Sequence, residues 1–488
     1  MESLVSMSGP GPSDLARRSF WLQETLPAEP PELAQVRRLS GAGRADVCIL
    51  GGGYCGLWTA IFLKEQEPSL DVAIVEADIC GGGASGRNGG FALSWWSKLG
   101  TLAKVCGEDD GAWIAEQSAA SVRKLGEFAA EEGFDCDYVH AGWLWVASAP
   151  AQLDTWASTV EETASRGHAI FQPLTREEAQ QRGGSPHYLG GIFDPTAARV
   201  QPAALARGLR KAALARGVRI YEESPVVAVE DGRPLTVCTR GGAIQADTVV
   251  SALNSWTVGL PQFHRLRRAI VTISSDIVAT APDPARLADT GWTGGECVSD
   301  SRLMVHYHRT TPDGRIVFGK GGGQVAFAGR IGDSFHLHAE LCRRTVRSLQ
   351  WLYPTFADVP VTHAWGGPVD RSMTGLPFFG RAPGHERFFY GVGFSGNGVA
   401  PTVTGARILA SLALGKDDRW TQCGLARGPK QLFPPEPVRY LGALVVKDAV
   451  RRKEAYEDAG KEAPALLARI AALAPAGYFK VGPKQPKP

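Results

Sequence analysis

The chain lacks the sequence features of several protein classes. Its nine cysteines are scattered and odd in number, and none forms a C-x-x-C pair, so neither a zinc framework nor a thioredoxin-like redox motif is expected. No apolar stretch reaches the ~18–20 residues that span a bilayer. With 52 Lys and Arg against 50 Asp and Glu, the formal net charge is only +2, without the basic excess typical of nucleic-acid binding. We therefore expect a cytoplasmic protein with no nucleic-acid partner, no integral membrane segment and no metal site.

Glycine, by contrast, is abundant. The chain of 488 residues contains 58 glycines, about 12% against a typical ~7%. Such an excess indicates either disorder or a backbone shaped around a ligand. Much of it lies in four clusters beside predicted strands and helix starts, at residues 51–56, 81–90, 319–323 and 391–398. This placement favours a ligand-binding backbone.

The first cluster satisfies the pattern G-x-G-x-x-G with the run Gly51-Gly52-Gly53-Tyr54-Cys55-Gly56. It follows an apolar strand and opens a predicted helix. Its glycines allow a tight turn, close approach of a pyrophosphate and close helix packing, and the phosphates bind at the helix N-terminus. The next predicted strand ends at Glu76, where a carboxylate binds ribose hydroxyls. An acid at this position disfavours a 2′-phosphate, so this segment by itself leaves FAD or NAD as the ligand.

Two further clusters favour FAD. The second directly follows Glu76 and would contact the pyrophosphate and flavin end of a longer cofactor through the candidate residues Ala84, Ser85, Arg87, Asn88, Gly89 and Gly90. The third lies far downstream, before a helix predicted to begin near Pro401, and supplies Gly393, Ser395, Gly396, Asn397, Gly398 and Val399. A helix N-terminus there can stabilise the negative charge of a reduced flavin. The separation of these clusters requires a discontinuous nucleotide-binding domain.

In this order and spacing, the segments GGGYCGLWTA, GGGASGRNGG and GVGFSGNGVAPT resemble the D-amino-acid oxidase/glycine oxidase/sarcosine oxidase superfamily of FAD-dependent amine oxidoreductases. The SGRNGG segment and the FWLQ arm most resemble its γ-glutamylputrescine oxidoreductase-like branch. The resemblance implies an α/β (α+β) two-domain fold, in which a Rossmann-like FAD-binding domain of glutathione-reductase type carries an inserted antiparallel-sheet substrate domain. It also implies that Val226 contacts the cofactor through its backbone. Because no matching attachment motif is present, we expect FAD to be bound non-covalently.

Composition shifts along the chain predict the domain boundaries. An Asp-Gly dipeptide between two β-rich runs predicts a hairpin in the substrate domain. We expect an N-terminal arm over 1–44, a FAD-binding domain over 45–100, 196–258 and 360–415, a substrate-binding domain over 101–195 and 259–359, and a C-terminal extension over 416–488 that contains a charged helix at 438–458.

The resemblance implies oxidation of a C–N bond. A hydride passes from the carbon beside a neutral amine to flavin N5, the imine hydrolyses to an aldehyde or keto acid, and oxygen (giving H2O2) or another acceptor reoxidises the flavin. Because the cofactor performs the difficult step, orientation matters more than a side-chain base. The first alternative, an NAD(P)H-dependent flavin monooxygenase, is disfavoured because the third cluster lacks a Gly-Asp-Ala motif. The second, a FAD-containing tRNA-modifying or scaffold protein, is disfavoured by the mild charge.

The predicted hairpin supplies the candidate catalytic residues His306, Tyr307, His308 and Lys320. By alternation, the two histidines share one face of the strand and Tyr307 and Arg309 the other. Some relatives place a lysine near flavin N5 to assist oxygen reduction, and Lys320 is the candidate for that role. Arg309 and Trp95 are candidate substrate contacts, with structural roles as the alternative. The cations favour a small amine with an anionic distal group, while oxidase and dehydrogenase activities and the oligomeric state stay undecided by sequence.

Overall fold

The structure, a computed structural model, describes Leu15 and residues 18–475. The strands, in chain order, are β1 (Gly41–Leu50), β2 (Val72–Val75), β3 (Phe91–Ala92), β4 (Trp143–Ala147), β5 (Gln172–Leu174), β6 (Gly190–Asp194), β7 (Ala198–Arg199), β8 (Arg219–Tyr221), β9 (Val226–Glu230), β10 (Leu235–Thr239), β11 (Gly242–Ser251), β12 (Ile270–Thr280), β13 (Cys297–Asp300), β14 (His306–Thr310), β15 (Ile316–Lys320), β16 (Val361–Ser372), β17 (Phe378–Arg381) and β18 (Phe388–Val392).

The α-helices, in chain order, are α1 (Phe20–Thr25), α2 (Pro31–Ala34), α3 (Tyr54–Gln66), α4 (Leu99–Cys106), α5 (Glu108–Glu131), α6 (Ala157–Ala164), α7 (Arg176–Gly183), α8 (Pro202–Ala215), α9 (Pro284–Asp289), α10 (Ala339–Leu352), α11 (Pro401–Ala413), α12 (Arg419–Gln422), α13 (Val438–Asp458) and α14 (Ala465–Ala471). Among the described residues, no helix is both long and apolar enough to cross a membrane.

The first sheet carries the predicted nucleotide-binding unit. Its strand order is β17-β18-β11-β1-β2-β8, with the hairpin β9-β10 attached to β11. Strands β18, β11, β1, β2 and β8 run parallel, and β17 is antiparallel at one edge. Strands β1 and β2 are adjacent, with α3 as the connection between them, which is the right arrangement for a βαβ unit. The Rossmann-like domain predicted from the sequence is therefore confirmed.

The second sheet has the order β16-β12-β15-β14-β13-β4-β6-β5 and is antiparallel except for the β13–β4 pair. The predicted hairpin is present, because β14 and β15 pair antiparallel and Gly314 turns between them at φ +87°. Helix α10 packs against β12, β15 and β16. The antiparallel substrate domain is thus confirmed as part of the two-domain fold.

One strand lies on the other side of an expected domain boundary. We predicted residues 360–415 as part of the FAD-binding domain, but β16 pairs along its length with β12 in the second sheet, from Val361 opposite Thr280 to Ser372 opposite Ile270. The segment contains Gly366, Gly367 and other small residues, so no clear alternation marks it as belonging to either sheet. The pairing with β12 decides its place, and the first sheet resumes only at β17.

Buried tryptophans connect the layers. Trp143 and Trp145 of β4 stack with ring centroids 5.7 Å apart, and their indole N–H groups donate to Ser299 Oγ and Ser301 Oγ at 2.8 and 2.7 Å. Because a buried indole N–H needs a partner, these serines fix the rings beside β13. Both tryptophans belong to a buried apolar cluster that also contains residues of α3 and α5.

Candidate active site

A cavity of about 620 Å³ lies between the glycine-rich loops and one face of the second sheet. This volume lies within the roughly 300–1,000 Å³ of small-molecule sites. The predicted cofactor residues that line it are Gly51, Gly53, Tyr54, Cys55, Glu76, Ala84, Ser85, Arg87, Asn88, Gly89, Ser395, Gly396, Asn397, Gly398 and Val399. Four others predicted as cofactor contacts do not line it, namely Gly56, Gly90, Val226 and Gly393.

The first loop connects β1 to α3 and needs its glycines for steric reasons. Gly51 adopts φ +105°, and a Cβ there would lie 2.8 Å from the carbonyl oxygen of Ala252. A Cβ at Gly56 would lie 2.0 Å from the carbonyl oxygen of Gly51, so α3 packs directly on the loop. Helix α3 therefore begins at the cavity, where its N-terminus favours a negatively charged phosphate.

Glu76 lies at the end of β2 and faces the same cavity. Its Oε2 accepts from the backbone N–H of Gly52 at 2.7 Å, and its Oε1 accepts from that of Asp78 at 2.9 Å. Burial raises the pKa of this carboxyl to about 7, although both N–H groups oppose the shift. The carboxyl group is thus held in one orientation and titrates near neutral pH.

The second loop is built by its own polar side chains. Asn88 Nδ2 donates to the carbonyl oxygens of Ala84 and Ser85 at 3.2 and 2.8 Å. The buried Arg87 donates from Nε to Gly82 O at 3.0 Å and from Nη1 to Gly366 O at 3.3 Å. Burial lowers the pKa of Arg87 to about 10. Arg87 therefore links this loop to β16 of the second sheet while lining the cavity.

The N-terminal arm supports the second loop from behind. The indole N–H of Trp21 donates to Asn88 O at 2.8 Å, and Arg18 forms an ion pair with Asp78. Trp365 of β16 adds a further contact, because its indole N–H donates to Arg87 O at 2.8 Å. The sequence predicted an N-terminal arm but not these contacts. The apolar run at Phe20–Leu22 was the available signal, whereas its partners are distant in sequence. Residues 1–14, 16 and 17 of the predicted arm lie outside the described residues.

The third loop is held by a carboxylate that sequence reasoning missed. Asp370 of β16 accepts from the backbone N–H groups of Gly393 and Ser395 at 2.5 and 3.3 Å. Burial raises the pKa of Asp370 to about 6. Next to this loop, Asn397 Oδ1 is buried and has no hydrogen-bond partner within the described part of the chain. An unpaired acceptor in a cavity wall is available to a ligand donor.

The opposite wall is one face of the second sheet. It includes Val271, Ile273 and Ile277 of β12 and Tyr307 of β14. The Tyr307 hydroxyl lies 2.8 Å from Ser275 Oγ, and its ring packs edge-on against Phe91 at 5.9 Å. Of the four predicted catalytic residues, only Tyr307 faces the cavity.

His306, His308 and Lys320 lie on the other face of the sheet, as alternation from Tyr307 requires. Lys320 Nζ contacts His306 Nε2, and His306 Nδ1 lies 3.0 Å from Asp300 Oδ2. Burial, with the charge of Lys320, lowers the pKa of His306 to about 3, so this ring is neutral. The expected position of Lys320 beside the flavin is therefore corrected, because its strand register directs it away from the cavity.

The remaining candidates, His308, Arg309 and Trp95, are buried away from the cavity. His308 Nε2 lies 2.6 Å from the Tyr188 hydroxyl, and burial lowers the pKa of this histidine to about 3. Arg309 is fully buried, donating to Thr310 O at 3.0 Å and Asp137 Oδ2 at 2.8 Å. Trp95 is also fully buried and does not line the cavity. The expectation that Arg309 and Trp95 contact the substrate is corrected accordingly.

The residues present fit FAD. Glycine backbone at the start of α3 leaves room for a pyrophosphate, Glu76 offers a carboxyl oxygen to ribose hydroxyls, and Asn397 Oδ1 offers an unused acceptor. These features occupy one continuous cavity, as an extended dinucleotide requires. Among the described residues, no group of three or more His, Cys, Asp or Glu side chains is arranged to hold a metal ion.

Comparison with known proteins gives a consistent result. The family model described as "DAO: FAD dependent oxidoreductase" matches residues 46–412. A probable oxidoreductase OrdL from Rhizobium meliloti is 31% identical over 433 residues, which cover 87% of this chain and 94% of the relative. The γ-glutamylputrescine oxidoreductase of Escherichia coli is 29% identical over 390 residues, covering 80% of this chain and 88% of the relative.

A solved structure shares the fold. The crystal structure of glycine oxidase from Geobacillus kaustophilus superimposes with a TM-score of 0.65 at 22% identity, covering 79% of this chain and 99% of the oxidase. The α13–α14 segment lies beyond the end of the matched family region.

Proposed function

This chain belongs to the DAO family of FAD-dependent oxidoreductases, and on that premise we propose that it binds FAD non-covalently and oxidises the C–N bond of a small amine or amino-acid-like substrate. The observation that carries the proposal is the single cavity with three glycine-rich loops on one wall and the second sheet on the other. The name of the E. coli relative, a γ-glutamylputrescine oxidoreductase, supports an amine as the substrate.

In this proposal, one wall of the cavity binds the cofactor and the other orients the substrate. Glu76 and the first loop hold the nucleotide end, and Asp370 holds the third loop through Gly393 and Ser395. FAD, when bound, supplies the acceptor for the hydride on the carbon beside the amine. The aliphatic face of β12 and the ring of Tyr307 orient the substrate and exclude water from the reacting carbon.

Non-covalent binding is supported by the state of the nearby thiol. Cys55 lines the cavity, and burial raises the pKa of its thiol to about 12. A thiol that stays protonated at neutral pH is a poor nucleophile towards a flavin ring. The imine product would hydrolyse to an aldehyde or keto acid, and oxygen or another electron acceptor would accept the electrons in the cytoplasm.

Anaerobic reduction tests this proposal. The purified protein is expected to be yellow, to release its flavin on acid precipitation, and to be bleached by members of a panel of amines and amino acids without NAD(P)H. Reduction by NAD(P)H alone would support a monooxygenase and overturn the proposal.

Two matched glycine variants test the cofactor site. Gly51→Ala places a Cβ at φ +105° and 2.8 Å from Ala252 O, so it should lose bound flavin. Gly43→Ala, in the strand β1 that precedes this loop, places its Cβ no nearer than 3.8 Å to another residue and should retain the flavin. Equal flavin content in both variants would contradict the assignment.

A further inference from the structure

The C-terminal helix α13 forms part of the cavity wall, although it lies outside the matched family region 46–412. Helix α13 contributes Val438, Arg439 and Lys447 to the lining, and also Gly442, Ala443, Val446 and Val450, which recur at helical spacing on one face. The latter four are apolar, and they adjoin Leu303 and Met304, which also line the cavity. A helix appended to the family fold thus contributes an apolar surface to the same site.

Polar contacts along its length hold α13 against the second sheet, so its lining face has a defined position in the cavity. Each of these anchors joins α13 to the second sheet or to the loops that follow its strands. The anchors are Arg439 Nη1 to Ile270 O at 3.1 Å, Lys447 Nζ to Gly323 O at 2.9 Å, Met304 N–H to Glu454 Oε1 at 3.0 Å, and the ion pair between Arg302 and Asp458.

Burial changes along the lining face. Gly442 is exposed, Ala443 and Val446 are half-buried, and Val450 is buried. A Cβ at Gly442 would meet nothing within 4 Å, so the space in front of it is open. The lining face of the helix therefore runs from an exposed end at Gly442 to a buried end at Val450, which packs with Met304.

Resting on the proposed function, we propose that α13 is the specificity-determining wall of the substrate site and that the amine substrate carries an apolar substituent which packs against Gly442, Ala443, Val446 and Val450. The expectation of an anionic distal group depended on Arg309, Lys320 and the histidines. The structure places all of these off the cavity, and the two cations of α13 that do line it, Arg439 and Lys447, donate to the carbonyl oxygens of Ile270 and Gly323. The substrate class that fits the wall is an aliphatic or arylalkyl amine.

A chain-length series on the holoenzyme tests this wall. Straight-chain primary amines from ethylamine to octylamine are titrated anaerobically, and the absorbance change of the bound flavin gives Kd while its bleaching gives the rate of reduction. In the wild type, Kd should fall about fourfold for each methylene that reaches the wall. Gly442→Phe should weaken octylamine at least tenfold and change ethylamine less than twofold, without loss of FAD.

Two further variants test whether the effect depends on the lining face of α13. Val446→Ala should shift the preferred chain length upward, because it lengthens the apolar pocket. Leu441→Phe, on an exposed position that does not line the cavity, should leave the whole series unchanged. A flat wild-type series, or equal effects of Gly442→Phe and Leu441→Phe, would overturn the proposed wall. Amines that bind with the expected length dependence but never reduce the flavin would instead refute the proposed function and leave the wall intact.

Discussion

The buried charges around Asp300, next to the β14–β15 hairpin, allow a quantitative prediction. Asp300, at the end of β13, is fully buried. Its Oδ1 accepts from the backbone N–H groups of Arg302 and His306 at 3.2 and 3.0 Å, and its Oδ2 pairs with the Arg302 guanidinium and accepts from Ser148 Oγ at 3.2 Å. This carboxylate therefore joins the segment before β14, which lines the cavity, to the ion pair that anchors α13.

Asp300→Asn removes the charge and keeps the shape. Removing one partner of a buried ion pair costs about 3–5 kcal/mol. Because the amide oxygen still accepts from the two backbone N–H groups, we expect the lower end of that range, about 3 kcal/mol of unfolding free energy. Asp458→Asn is the matched control, since it removes the other acid paired with Arg302. Its side chain is 44% exposed, so a cost of at most about 1 kcal/mol is expected.

The pH dependence has a defined sign. Burial by itself would raise the pKa of Asp300, but Arg302 and His306 outweigh it and hold the pKa below its usual value of 3.8. A carboxyl with a depressed folded-state pKa contributes stability above its unfolded pKa and loses it as the pH falls through the folded value. In urea unfolding followed by tryptophan fluorescence, the difference between wild type and Asp300→Asn should stay constant from pH 5 to 8 and shrink only in stronger acid. A difference below about 1 kcal/mol, or one that grows on acidification to pH 5, would refute this reasoning.

Three further predictions concern the cavity. Because the pKa of Glu76 is raised to about 7, and ribose hydroxyls bind its ionised form, FAD should rebind more tightly to apoprotein as the pH rises from 6 to 8. Glu76→Gln should flatten this dependence in a fluorescence titration, and an unchanged slope would contradict the role. Arg87→Met should raise the Kd of FAD about 10- to 100-fold, since hydrogen bonds from a charged group contribute roughly 1.5–3 kcal/mol. Equal FAD content in the wild type and in Arg87→Met would show that the link from Arg87 to β16 does not support FAD binding. Lys320→Met should change stopped-flow rates of flavin reduction and of reoxidation by oxygen less than threefold, whereas a selective loss of reoxidation would restore the lysine to the flavin.

The nucleotide half of the site could be predicted from sequence because its signals are local. A G-x-G-x-x-G run between a strand and a helix constrains the backbone over a few residues, and Gly51 indeed needs its positive φ. Alternation likewise predicted that the two hairpin histidines share a face opposite Tyr307. The charged helix predicted at 438–458 is present as α13. Fold class and cofactor type therefore followed from short segments.

The opposite wall of the cavity depended on contacts between distant segments. Alternation defines two faces of β14, but only the packing of α10 against one face of the sheet decides that Tyr307, and not His306 or Lys320, meets the cavity. Asp370 reaches Gly393 because β16 joins the second sheet, and the sequence of β16 does not indicate this pairing. The amino-acid sequence alone thus determined the dinucleotide loops, whose geometry is a property of the local backbone. The tertiary structure alone decided which residues line the opposite wall of the cavity, because contacts between distant segments bring α13 there.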